Sequence, residues 1–500
     1  MKALLFLACL IPVFSFPAGD STFSFPKQTN LPFQTVPVFS TDSSIPPQSP
    51  VIPPLFFNSR NFFPASPAFP NPIHFLSALI PQNTTLATGI NTPVLFPENF
   101  LRNPFFTSRA PFSDIYFYAG SKNEQLLNCF FSQDIKQRGN LSFGLIRTNG
   151  EGILRKSSFF AGEHFASFFL NGKFNNRGMA LLLYQKSIKK DEPTGYNDTL
   201  LREDNSAFIT FVPPLRPDAR SKLIQSKAEI KFWLAPGHTK SDSLKPKMFL
   251  VLAESEFNSF KYAYTDLNPA NANYTIFYND STITRDSIRL LRFENRVGTL
   301  VSPLNGKFSK SYFKLLGGTR NYTLSQNDSL STPTDIFARA EFILLNEAGT
   351  GKSWQLKASS EFIPAGDNAG SFFHELKGCL RFPKHLFGFS ASSAFTPRAV
   401  THHFMNFNHN QWKNSFGNQS HDFFSAFYVF EPLKLQAAVN HHRLSNFSFP
   451  DSNGIPTLSN QTMAWSELSL KRNSGAEKLI FIPEFKFFFA KNSPINLPSL

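Results

Sequence analysis

From Pro111 to the last residues of the chain, polarity alternates at every second position, segment after segment. In residues 353–362, Trp354, Leu356, Ala358, Ser360 and Phe362 share one face, while Ser353, Gln355, Lys357, Ser359 and Glu361 share the other. Residues 224–234 set Ile224, Ala228, Ile230, Phe232 and Leu234 against Gln225, Lys227, Glu229 and Lys231. Residues 372–382 set Phe372, Leu376, Leu380 and Phe382 against Glu375, Lys377, Cys379 and Arg381. Residues 433–440 oppose Leu433, Leu435, Ala437 and Val439 to Lys434, Gln436 and Asn440, and 336–345 alternate likewise, with Arg339 and Glu341 on the polar face. Residues 479–489 read as one strand, with Leu479, Phe481, Phe485, Phe487 and Phe489 opposite Glu484 and Lys486. Side chains of a strand point alternately to opposite faces, whereas a helix groups every third or fourth residue. The period of two therefore makes this an all-β chain.

Hydropathy narrows the solvent. Past residue 15 no apolar run approaches the roughly 20 residues that a spanning helix needs, which excludes a helical membrane protein. A barrel strand needs only about 9–11 residues of alternating polarity. A soluble sandwich alternates too, but three features favour a barrel. The polar face mixes both charges with Gln, Ser and Asn, as a water-filled lumen does. The apolar face is rich in Phe, Leu and Ala, with Trp233, Trp354, Trp465 and several Tyr near strand ends, where aromatic girdles sit. The alternation also persists with no second composition class. Charged residues are only 17% against 61 Phe in 500 residues, and 15% aromatic residues exclude wholesale disorder.

Turn signals punctuate the strands at residues 347–352, Asn171-Gly172 and Gly317-Gly318-Thr319, and longer polar stretches fall at 187–205, 238–247 and 268–286. Short turns at one end and long loops at the other suit antiparallel hairpins. Residues 112–500 accommodate about sixteen strands, with fourteen to eighteen also fitting. The expected fold is a transmembrane antiparallel up-and-down β-barrel with an extended Pro/Phe-rich N-terminal segment.

The N-terminus supplies the compartment. Met1-Lys2 precedes an apolar run over 3–14, the pattern of a secretory signal peptide, with cleavage expected near Ser15 and Ala18 as second choice. Residues 1–15 are thus read as signal peptide, 16–110 as a Pro/Phe-rich extended region and 111–500 as the barrel. Nineteen of the 37 Pro lie between Pro12 and Pro111, which bars helix and central strand there. Phe56-Phe57, Phe62-Phe63, Phe69 and Phe75 recur through it, so the region is read either as docking its aromatics on something or as a Phe-biased disordered leader. Cys9 leaves with the signal. Cys129 and Cys379 remain, and the sequence leaves open whether they pair.

A specific motif then enters at residues 110–135. Phe112-Ser113-Asp114-Ile115 opens a strand, Gly120-Ser121-Lys122-Asn123-Glu124-Gln125 forms a turn, and Ser132-Gln133-Asp134-Ile135 ends the next strand, followed by a strand at Gly139–Leu145. This resembles the opening strands of the putative porin family of Bacteroidota, over about sixty residues. The resemblance implies a signal-bearing bacterial outer-membrane barrel that passes small solutes. Two features depart from the family pattern: the Pro/Phe-rich leader, and the tail 490–500, which ends without an aromatic residue.

Other motifs carry less. Gly349-Thr350-Gly351-Lys352-Ser353 looks like a phosphate loop, but Asn346 stands where that motif needs Gly, so it reads as a hairpin turn. His402-His403, His409, His421 and His441-His442 gather late. Adjacent His pairs on a strand face opposite ways, so neither a metal nor any other cofactor is expected. Ten N-x-S/T sequons read as loop chemistry, and no nucleophile elbow occurs, so no catalysis is expected. The net charge of +14 is dispersed, which favours anionic lipid headgroups over nucleic acid as a partner.

The expected function is an outer-membrane porin-like channel for passive diffusion of small polar solutes, as a monomer or homo-oligomer among outer-membrane lipids. Pore-lining candidates are Lys227, Glu229, Lys231, Arg339, Glu341, Lys357, Glu361, Glu375, Lys377 and Arg381. Their positive excess implies mild anion preference. The alternatives are a secreted or surface β-rich binding or adhesion protein, a barrel enzyme, and a plugged barrel with another role.

Overall fold

The computed structural model describes residues 27–28, 84–88, 90, 105–107 and most of 111–491, with gaps in the connections, the longest at 192–217 and 237–248. The segment 1–15 and most of 16–110, with the Phe pairs noted above, lie outside the described residues.

Every long element is a strand. The staves are β1 (Phe112–Ala119), β2 (Gln125–Ile135), β3 (Gly139–Glu151), β4 (Ser158–Asn171), β5 (Arg177–Asp191) and β6 (Arg220–Leu234). They continue as β7 (Phe249–Asp266), β8 (Thr284–Val301), β9 (Tyr312–Gln326), β10 (Thr334–Ala348), β11 (Lys352–Gly366) and β12 (Phe372–Phe382). The last are β13 (His385–Thr396), β14 (Gln419–Phe430), β15 (Leu435–Ser445), β16 (Met463–Arg472) and β17 (Glu484–Lys491). Sequential staves pair antiparallel and the sheet closes on itself, with β17 beside β1. Seventeen staves is an odd number, so the first and last run the same way and the closing pair is parallel.

The opening motif folds as the sequence indicates: β1, a turn closed by Gly120 N donating to Glu124 O at 2.8 Å, then β2 and β3. Three expectations need correction. Gly317-Gly318-Thr319 is the middle of β9, not a turn. A Cβ on Gly318 would lie 2.1 Å from Asn295 O on β8 and 3.1 Å from the Phe337 ring, so glycine is there for close strand approach. The single strand at 479–489 is instead two elements: Leu479–Phe481 pairs with Ser474–Ala476 in a small hairpin, and β17 starts at Glu484. Loop lengths also divide less cleanly than expected. The connections 192–219, 267–283, 397–418 and 446–462 leave from one end, here the long-loop end, but 235–248 leaves from the other.

The outer face is apolar and exposed around the barrel, at Leu141, Leu183, Phe257, Phe293, Val297 and Leu380 among others. A soluble protein rarely exposes a contiguous apolar surface above a few hundred Å², so this face belongs in hydrocarbon. Cys129 lies on the outward row of β2 and Cys379 on the inward row of β12, and both are free thiols. Trp354 points outward, but Trp233 and Trp465 sit on inward rows, so only Trp354 of the three meets the girdle expectation.

The inner face is not uniformly polar. Along β2–β7 it carries Leu126, Ile146, Phe165, Phe169, Leu182 and Leu252, all buried. Their cover is the chain itself: Phe106 packs on Phe130 at 4.9 Å and Phe105 on Phe169 at 6.3 Å between ring centroids. Gly318→Val is expected to abolish the folded barrel, read as loss of heat-modifiable gel migration. Gly317→Ala, whose added Cβ would meet nothing within 4 Å, is expected to leave it intact.

Candidate functional site

The inward rows of β6–β12 build a lattice of charge. In β6, Lys227, Glu229 and Lys231 are successive inward residues; in β7 they are Glu254 and Glu256; in β8, Arg292, Glu294 and Arg296. Register places Glu229, Glu256 and Glu294 directly opposite one another on three adjacent staves, with Arg320 of β9 next in the same rung. Like charges at directly opposed positions are destabilising. The rungs on either side supply the compensation: Lys227–Asn258–Arg292 toward the long-loop end, and Lys231–Glu254–Arg296 toward the other.

Arg296 is the hub. Its guanidinium stands 3.0 Å from Glu254, 3.1 Å from Glu294, 3.3 Å from Glu256 and 3.4 Å from Glu229. Lys227 reaches Glu229 at 3.1 Å and Glu256 at 3.4 Å, and Lys231 reaches Glu229 at 2.8 Å. Lys314 meets Glu254 at 2.9 Å. Arg320 bridges Glu294 at 2.7 Å and Glu361 at 3.0 Å, with its guanidinium 3.9 Å from the Phe337 ring centroid.

All ten residues named from the sequence fall on inward rows. Lys227, Glu229 and Lys231 enter the lattice, and Arg339 binds Glu361 beside Arg320. Lys357 pairs Glu341 at 3.1 Å and Lys377 pairs Glu375 at 2.5 Å. Arg381, exposed at the other end of β12, makes no ion pair with a described residue. Sequence reading missed Glu254, Glu256, Arg292, Glu294, Arg296, Lys314 and Arg320. Their signal is the same period of two in 250–258, 290–300 and 312–322.

A short segment of the N-terminal region, residues 84–88, straps this wall. Thr84 is buried, its N–H donates to Glu361 Oε1 at 2.9 Å, and its hydroxyl donates to the same oxygen. Arg320 Nη1 donates to Thr84 Oγ1 at 2.9 Å, and Leu86 N–H donates to the Tyr322 hydroxyl at 3.3 Å. Ala87 and Thr88 carbonyls accept from Val400 and Thr401 N–H at 2.8 and 3.2 Å. Those acceptances tie the strap to the 397–418 connection.

That connection folds across the mouth. It holds helix α1 (Val400–His403) and a hairpin of Phe404–Asn406 with Gln411–Lys413. His402-His403 is therefore helical, not a strand pair. The far side is gripped at the starts and ends of β8 and β9: Asp286 Oδ1 accepts Asn408 N–H at 2.8 Å, and Gln326 Nε2 donates to Phe404 O at 2.9 Å. Burial, with Arg398 and His403 nearby, holds His402 below its ordinary pKa; its Nδ1 lies 2.8 Å from Ser448 Oγ. Elsewhere on the inner wall, His421 Nε2 and His442 Nδ1 approach to 3.3 Å, and His442 stacks on Trp465 at 4.5 Å. Among the described residues no group of three or more His, Cys, Asp or Glu could hold a metal ion.

Against known proteins, the model of a family described as putative porin matches residues 97–500. No curated protein matches the chain. Among solved structures, the chain is similar to the ferric yersiniabactin uptake receptor FyuA of Yersinia pestis at 11% identity and TM-score 0.49, covering 77% of this chain and 62% of that one. It is also similar to the FrpB iron transporter of Neisseria meningitidis (7%, TM-score 0.49, 77% and 62%) and the ferric preacinetobactin receptor BauA of Acinetobacter baumannii (10%, TM-score 0.47, 76% and 62%). The chain spans less than two thirds of the length of each.

Removing one partner of a buried ion pair costs roughly 3–5 kcal/mol. Arg296→Met is expected to lower barrel stability by about that amount in urea unfolding. Lys377→Ala, in a partly exposed pair, is expected to cost about 1 kcal/mol or less. For His402, the unfolded chain binds the proton more readily, so loop docking is fully stable above the ordinary histidine range and weakens as pH falls through it. With Trp412 kept and the other three Trp changed to Phe, acrylamide quenching of Trp412 is expected to rise from about pH 8 to about pH 5, and to rise less in His402→Asn, where His403, also held low by burial, still titrates.

Proposed function

The chain belongs to the putative porin family, and from that premise we propose that this outer-membrane transport barrel is a channel through which small polar solutes diffuse passively. The observation that carries the reading is the inner wall of β6–β12, where charges of both signs line successive rungs of a closed barrel. Such a wall offers a moving polar solute alternating donors and acceptors in place of its hydration shell. No catalytic step is assigned to it. The N-terminal residues 1–15 act as a signal peptide removed on export, 16–110 as an extended Pro/Phe-rich region that meets the inner wall through residues 84–88 and 105–106, and 111–500 as the barrel.

Selectivity rests on Lys227, Lys231, Arg339, Lys357, Lys377 and Arg381 against Glu229, Glu341, Glu361 and Glu375. The lattice residues that the sequence reading missed bring the wall to ten cations and seven carboxylates, so the excess stays positive. Because most are paired, the preference for anions is mild.

One observation favours a second reading, a barrel held closed from inside: Thr84 bridges Arg320 and Glu361 on this wall. Planar-bilayer conductance of the detergent-purified mature protein separates the two. Discrete steps with a reversal potential favouring anions are expected. Cation preference would sink the selectivity claim. Absence of steps, restored by Thr84→Asp, which sets a carboxylate against Glu361, would make the strap a plug.

A further inference from the structure

The outer wall carries one feature that neither the lumen nor the apolar band explains. On the outward rows of β5–β8, at the long-loop end, Lys189, Lys222, Lys261 and Arg289 are all exposed. Lys189 is directly opposite Lys222, and Lys261 directly opposite Arg289. Lys222 faces Ala263, two residues from Lys261, so the two pairs are diagonal neighbours. None of the four makes an ion pair with a described residue. One step nearer the loops, Arg220 and Arg285 flank Thr265 from either side, and of these Arg220 pairs Asp191 at 3.2 Å.

Two like-charged pairs opposed across neighbouring strands oppose the pairing of those strands. The opposite ends of the same staves show no such cluster: Leu234 and Val251 are apolar there, with Arg177 the lone cation in their rung. The cations are therefore not a general property of strand ends. Four residues further along β7 and β8 and six along β5 and β6, about 13–20 Å, the outward rung is Leu183–Ala228–Phe257–Phe293, directly opposed across all four staves. One mostly polar rung, Gln185–Ser226–Ser259–Leu291, separates the cations from these hydrocarbon-facing side chains, so the wall passes from charge to hydrocarbon over a lipid headgroup's depth.

We propose that this face is a binding site for an anionic, phosphate-bearing lipid headgroup of the leaflet at the long-loop end. The phosphate is held among Lys189, Lys222, Lys261 and Arg289, and the acyl chains lie on the Leu183–Phe293 rung. A free phosphate would satisfy the cations but leave the apolar rung unused, and a nucleic acid has no chains to place there. Only an amphiphile meets both. The site rests on the membrane barrel and not on conduction by its lumen.

The test is native mass spectrometry of the full mature protein in neutral detergent, titrated with phosphatidylglycerol and with phosphatidylcholine of the same acyl chains. Phosphatidylglycerol is expected to be retained preferentially. Each surface cation contributes about a fivefold factor toward an anionic lipid, so Lys222→Gln/Arg289→Gln is expected to bind it roughly 25-fold more weakly. Arg443→Gln, an exposed outward cation on β15, is expected to bind as the parent does. Heat-modifiable migration checks that each variant is folded, and an unchanged conductance of the double variant separates this site from the lumen. Equal retention of the two lipids, an unaffected double variant, or equal weakening by Arg443→Gln overturns the proposal. Displacement of the lipid by inorganic phosphate at the same concentration also overturns it, in favour of a free-ion site.

Discussion

In hydrocarbon an unpaired backbone N–H or C=O has no water to turn to, and each costs several kcal/mol. That constraint governs the rest of this molecule. A sheet of alternating strands survives in a membrane only when its two edges meet, and here they meet as β17 against β1. With an odd number of staves the closure is parallel, a pairing whose hydrogen bonds are evenly spaced but slanted. Once the edges are joined, every strand has one face in lipid and one in the lumen. The period of two in the sequence then becomes an inside and an outside.

The inside divides into two chemically different walls. Along β2–β5 it is mostly apolar, apart from a buried Glu163–Lys186 pair, and apolar residues facing water are unfavourable by about 25 cal/mol per Å². Phe105 and Phe106 remove part of that surface from water. Along β6–β12 it is ionic. There the cost is desolvation, which each charge recovers only by being surrounded by partners. Arg296 among four carboxylates is the extreme case. Both walls are thus completed by other parts of the same chain, the ionic one by Thr84 between Arg320 and Glu361. The strap and the 397–418 loop meet through Ala87 and Thr88, so the contents of the lumen and the cover of its mouth form one connected structure.

The same accounting applies outside. Polar and charged residues on an outward row belong where headgroups and water begin. The four cations on β5–β8 stand beyond the apolar rung, with no acidic neighbours among the described residues that neutralise them. Lumen and this outer cluster therefore use the same residue types oppositely: inside, cations are matched by carboxylates on neighbouring strands, while Lys189, Lys222, Lys261 and Arg289 are set against one another.

Much of this was legible in advance. Strands at 353–362 and 372–382, the opening motif and the inward placement of Glu361, Lys377 and the other pore candidates all follow from side chains alternating across a pleated backbone. The glycine pair at 317–318 misled, because at Gly318 a turn and a close strand approach make the same demand for a missing Cβ. The sequence by itself determined that the chain is β, that its strands have one apolar face and that its polar face mixes both charges, since these are properties of residues two apart. Only the tertiary structure decided which carboxylates share Arg296, that Thr84 from the leader reaches Glu361, and that Lys189, Lys222, Lys261 and Arg289 cluster. Those contacts depend on register between strands and on closure of the sheet, and register is a relation among distant segments that no local spacing encodes.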